Sequence, residues 1–108
     1  MIQANTVLEA WDKTLETKDF THLEKYLSGD FQFEDTTGEL DNLENTKSWC
    51  VTGGLRINNF KIARENGNYI VATHDVIQKD SPNSNGLVYA EQTNGKFTYW
   101  KIQRAFEA

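Results

Sequence analysis

Apolar positions in the first part of the chain fall at helical spacing. Ala4, Val7, Leu8, Trp11 and Leu15 recur at intervals of three and four and make one apolar stripe. The stretch TKDF interrupts it. Thr21 and Glu24 then stand at capping-box spacing, and Leu23, Tyr26 and Leu27 continue an apolar face, so a second helix is expected to stop at Ser28-Gly29. In DFQFED the period changes to two, with Phe31, Phe33 and Asp35 on one face of a strand and Gln32 and Glu34 on the other. TTGELDNLEN reads as a loop. NTKSWCVTGG reads as a short helix, started by Asn45 or Thr46 and stopped by Gly53-Gly54.

The second half reads as sheet. Three Asn-Gly steps, at Asn66-Gly67, Asn85-Gly86 and Asn94-Gly95, are hairpin signals, because Asn-Gly suits turns with positive φ at both central residues. Around them lie LRINNFKIARE, NYIVATHDVIQK, GLVYAEQT and KFTYWKIQRAF, rich in β-branched and aromatic residues, which predict an antiparallel meander of four strands. Leu55 and Ile57 lie on one parity and Phe60 and Ile62 on the other, which a β-bulge near Asn58-Asn59 reconciles. Tyr69, Val71, Thr73 and Ile77 share one face of the next strand, and Ile70, Ala72 and Val76 the other. On the last strand Trp100, Ile102 and Phe106 oppose Phe97, Tyr99 and Ala105. The expected class is α+β, with three helices packed on the concave face of a strongly curved, mainly antiparallel sheet. A sheet apolar on both faces is usually covered on both, so a homodimer through the convex face is expected.

Composition narrows the partners. The chain has 108 residues, enough for one domain over 1–108, with 12% aromatic residues and a net charge of −5. No Lys/Arg cluster supplies the basic face that nucleic acid requires. No apolar run approaches the ~20 residues of a membrane helix. The start, MIQANTVLEAWDKT, lacks the basic and apolar regions of a secretory leader, and the single cysteine, Cys50, forms no internal disulfide. A cytoplasmic protein is expected. No metal site or cofactor is expected either: there are two histidines, and adjacent strand residues such as His74 and Asp75 point to opposite faces.

The element order, with TKDFTHLEKYLSGDFQFED and TNGKFTYW at their positions, resembles the nuclear transport factor 2-like superfamily over essentially the whole chain. That superfamily, with its cystatin-like cone, includes ketosteroid isomerase, scytalone dehydratase, limonene epoxide hydrolase and the SnoaL-like polyketide cyclases. The resemblance implies the fold, and leaves isomerase, lyase, hydrolase and non-catalytic binder open. Glu34-Asp35-Thr36-Thr37-Gly38 is similar to the context of the isomerase general base without its proline, which implies Asp35 in that role. The isomerase's oxyanion donors would fall at Trp11 and near Tyr89, so one role of three is matched. Against the epoxide hydrolase, Asp75 resembles one carboxylate, while Thr73 stands in place of the arginine and Ile102 in place of the second acid.

Each candidate carries a plainer alternative. Asp35 is either a base beside Phe31 and Phe33 or a turn carboxylate bonding to the Thr37 or Gly38 amide. Asp75 either lines a pocket or pairs with Arg104 across the sheet. His74 is a structural histidine or the one sheet residue that titrates near neutrality. Trp11, Trp49 and Trp100 are core, or the walls of a ligand pocket together with Leu15, Phe31, Phe33, Thr73 and Ile102. Three functions follow: proton-transfer catalysis on a small apolar carbonyl compound by Asp35 or Asp75, binding of a small apolar ligand without turnover, or an interaction module using the convex face.

Overall fold

The first helix, α1 (Ala4–Thr17), buries the predicted stripe, with Thr14 added to it. No side chain of its own caps its start; instead the Glu65 carboxylate, far along the chain, accepts the Ala4 amide at 2.7 Å. Half a helix further on, Asp12 accepts from Arg56 Nε (2.8 Å), Arg56 Nη2 (2.9 Å) and the Ile57 amide (3.1 Å). Both anchors belong to one strand, so α1 is fastened along it at two points.

A computed structural model describes residues 1–106. After α1 come α2 (Thr21–Glu24), β1 (Leu27–Glu34), β2 (Leu40–Asn42), α3 (Leu43–Cys50), β3 (Leu55–Glu65), β4 (Tyr69–Gln78), β5 (Ser84–Thr93) and β6 (Lys96–Phe106). The strands form one curved sheet in the order β2-β1-β6-β5-β4-β3, and only β1 and β6 pair in parallel among the described residues. This is the expected α+β cone.

Several local expectations need correction. Thr21 does not cap α2: the N-cap position is Phe20, the Thr21 amide (3.0 Å) and hydroxyl (2.7 Å) donate to Asp19 in the turn before it, and Ser28-Gly29 lies inside β1. Part of the expected loop is β2, and α3 starts earlier than expected, because the Asn42 side chain accepts the Asn45 amide at 2.8 Å. Asn94-Gly95 forms a turn with φ of 53° and 76°, and Asn66 turns the chain by accepting the Asn68 and Tyr69 amides. Asn85-Gly86 does not turn. It lies within β5, opposite Asp75 and His74, and the reversal falls in the residues before it, around Pro82. Gly86 answers a packing need there: a Cβ would sit 3.0 Å from His74 Cε1 and 2.9 Å from Ile102 Cδ1.

The predicted bulge is present. Asn59 has φ of 57°, and the pairing slips between Asn58↔Asp75 and Lys61↔Thr73. The slip returns Ile57 and Ile62 to one face, opposite Val76 and Ala72. On the helix side, Ile70, Ala72, His74 and Val76 of β4 and Val88 and Ala90 of β5 are buried. The outer side carries Tyr69, Tyr89 and Tyr99 with ring centres 6.0 and 6.3 Å apart, and a Lys101–Glu34 ion pair at 2.7 Å. Among the described residues no helix is long and apolar enough to cross a membrane.

Burial alone would raise the Asp12 pKa, but the Arg56 hydrogen bonds, the Ile57 amide and the Arg56 charge outweigh it and hold it below the usual carboxylate range. A folded-state pKa below the unfolded one gives stability that is present above the unfolded pKa and lost as pH falls through the folded one. Denaturant midpoints of the wild type are therefore expected to fall on acidification below about pH 4. Asp12→Asn should cost about 1 kcal/mol at pH 7, allowing for the solvent around Arg56, and should flatten that acid dependence.

Candidate ligand cleft

Between the helices and the sheet lies a cleft of about 570 Å³. Its floor is aromatic. Trp11 of α1 lies 5.9 Å from Trp49 of α3 in a stacked arrangement, 5.9 Å from Phe33 of β1 and 5.3 Å from Trp100 of β6. Phe33 and Trp49 meet edge to face at 5.1 Å. Leu15, Leu55, Ile57, Val76 and Ile102 complete the apolar walls. The spacing of Trp11 and Leu15 places both on one side of α1, and strand parity aligns Trp100 with Ile102.

A polar row crosses this wall. His74, Gly86 and Arg104 are neighbours in register on β4, β5 and β6. His74 is 3% exposed, and its Nδ1 lies 3.1 Å from the Asp75 carbonyl oxygen. A carbonyl only accepts, so Nδ1 carries the proton in this contact and Nε2 of the neutral ring presents a lone pair. Burial lowers the His74 pKa. The Asp75 backbone contact and carboxylate oppose that shift and the Arg104 charge adds to it, leaving the ring below its ordinary value. Arg104 donates from Nε to Ser84 Oγ (2.9 Å) and from Nη2 to Gln78 Oε1 (3.2 Å). Its guanidinium also lies 4.9 Å from the centre of the Phe106 ring. Among the described residues no carboxylate pairs with it.

The structure brings Trp11, Leu15, Phe33, Trp49, Trp100 and Ile102 together around the cleft. Of the other candidates, Asp35 also lines the cleft, Thr73 and Asp75 line a smaller pocket on the outer face, and Phe31 lines neither. Asp35 Oδ1 accepts from the Thr37 hydroxyl (2.6 Å), the Thr37 amide (2.9 Å) and the Glu39 amide (3.0 Å). The Thr37 hydroxyl bond, aided by the two amides and the Lys101 charge, outweighs burial and lowers its pKa. These bonds to Oδ1 are those of a turn carboxylate. Asp75 and Thr73 lie on the outer face. The Asp75 carboxylate accepts from Asn59 Nδ2 and Asn85 Nδ2, both at 2.6 Å, and the expected pair with Arg104 does not form because the two occupy opposite faces. Thr73 sits opposite Lys61 and Leu87. Phe31 is buried in the core and does not line the cleft. Tyr89, on the outer face, donates to Glu91 at 2.9 Å and supplies no donor to the cleft. Cys50 is buried, and burial pushes its thiol pKa up.

The sequence pattern by itself does not assign Arg104 and Gln78 to the pocket and leaves His74 open. The signal for Arg104 was its parity with Trp100 and Ile102. For His74 and Gln78 it was parity with Ile70, Ala72 and Val76. Among the described residues no three His, Cys, Asp or Glu side chains gather as a metal site would require.

No known family's sequence profile matches the chain, and no curated protein sequence matches it. Solved structures do. An NTF2-like protein of unknown function from Cytophaga hutchinsonii aligns with a TM-score of 0.78 at 16% identity, covering 97% of this chain and 92% of that one. A putative ketosteroid isomerase from Kribbella flavida aligns with a TM-score of 0.72 at 15% identity, covering 94% and 78%. An LEH-like epoxide hydrolase of M. tuberculosis gives 0.62 at 19%, covering 92% and 80%. The chain has the nuclear transport factor 2-like fold. At these identities the likeness speaks for the fold, and the site must be argued from its own residues.

An NMR titration checks the histidine. The His74 carbon shifts are expected to report a pKa below the ~6.5 of a free side chain, with nitrogen shifts of the Nδ1–H tautomer at pH 7. A ring that is protonated at pH 7 would contradict this geometry.

Proposed function

We propose that the protein binds a small, largely apolar molecule in the aromatic cleft. The observation that carries this is the cleft itself: about 570 Å³, walled on one side by Trp11, Phe33, Trp49 and Trp100, with His74, Gln78 and Arg104 among its polar lining groups. Aromatic surface with a few fixed polar groups is the usual makeup of a ligand site. A second reading, proton transfer on a carbonyl compound, is favoured by His74, whose neutral ring offers Nε2 as an acceptor. His74 stands in the cleft beside Asp35 as a candidate base.

All three tryptophans of the chain line the cleft, so intrinsic fluorescence reports its occupancy. Nile red, an uncharged probe, is expected to quench it and to gain emission. Ile102→Phe should narrow the cleft and weaken Nile red by about tenfold or more, with the denaturant midpoint little changed. Equal binding by wild type and Ile102→Phe would place the probe elsewhere and remove the proposal.

We also propose that the outer face packs against a second copy of the chain. Supporting this, Leu87 is 49% and Ile77 41% exposed beside the tyrosine row, on a side that no helix covers. Sedimentation at micromolar concentration should give a dimer that Leu87→Glu converts to monomer. A monomeric wild type sinks the idea.

A further inference from the structure

We infer that the ligand class is a small carboxylic acid, its carboxylate held by Arg104 and its apolar body on the tryptophan floor. This rests on the cleft's being a ligand site and goes further by assigning the charge of the ligand.

The argument starts from an unbalanced charge. Arg104 is half-buried in the cleft wall, and among the described residues it has no carboxylate partner. Its two protein acceptors, Ser84 Oγ and Gln78 Oε1, are both neutral. They use two of its five N–H donors, leaving both hydrogens of Nη1 and one of Nη2. Those two nitrogens form the end of the guanidinium fork, the side that meets a carboxylate with two parallel hydrogen bonds.

The guanidinium is also held in place before any ligand arrives. Ser84 and Gln78 hold its Nε and Nη2, the Phe106 ring lies against it, and the Arg104 amide donates to Thr36 Oγ1 at 3.0 Å. Preorganisation of this kind reduces the ordering cost of binding. Asp35, Asp41 and Lys79 also line the cleft, Asp35 and Asp41 part-buried and Lys79 exposed. Of these, Asp35 is already engaged by Thr37 and Glu39. Arg104 shares its strand with Trp100 and Ile102, so an acid anchored there can lay its apolar part along the same strand.

Phenylbutyrate and its methyl ester make the test, since they differ in charge and little else. With wild-type protein, calorimetry is expected to show the acid binding at least about tenfold more tightly than the ester. Arg104→Gln should abolish that preference while ester and Nile red binding persist, and Arg104→Lys should keep part of it. Equal binding of acid and ester by the wild type overturns the inference and leaves the cleft proposal standing. Failure of the acid, the ester and Nile red alike to bind removes the cleft proposal itself. Should Arg104→Gln unfold, the wild-type comparison of acid and ester still decides.

Discussion

One backbone irregularity governs the geometry of this protein: the bulge at Asn59. Its φ of 57° is tolerable for asparagine, and the extra residue bends β3 while keeping Ile57 and Ile62 on the helix side. Without it, one of the two would face solvent. The two carboxylate anchors of α1 lie on either side of this bend, at Ile57 and at Glu65. The helix is therefore set against a bent strand, and the space it leaves beneath its far end is the cleft.

Much of this was legible from the sequence because it rests on local rules. Apolar periodicity placed α1 and the long strands, and the parity break in LRINNFKIARE marked the bulge. What failed depended on distant partners. Asn85-Gly86 has the composition of a turn, yet the ring of His74 and the side chain of Ile102 require the glycine. Asn42 caps α3 from within a segment with no strand pattern of its own, since β2 is only three residues long and takes its register from β1. The aromatic part of the cleft followed from parity and helix spacing. Its polar row did not, because Asp75 and Asp35 drew attention as carboxylates while His74, Gln78 and Arg104 are brought together only by pairing across three strands.

The buried face of α1 holds polarity at a cost. Trp11 Nε1 and Thr14 Oγ1 are buried without a hydrogen-bond partner among the described residues. Each such group costs about 1–3 kcal/mol. The contacts of Trp11 with three other aromatic rings, stacked on Trp49 and tilted to Phe33 and Trp100, offset part of that, since aromatic pairs contribute about 0.5–1.5 kcal/mol beyond their buried area.

The parallel pairing of β1 with β6 has a consequence for the order of assembly. The hairpins from β3 to β6 close over short loops, but β1 must meet a strand made at the far end of the chain; the Lys101 side chain reaching the Asp35 carbonyl spans 66 residues. Such long closures are slow relative to hairpins. Because β6 supplies Trp100, Ile102 and Arg104, a chain still emerging from the ribosome has helices and the start of a sheet but no cleft. The cleft is complete only once β6 has docked, and a ligand that bound there would add its binding energy to the stability of that docking.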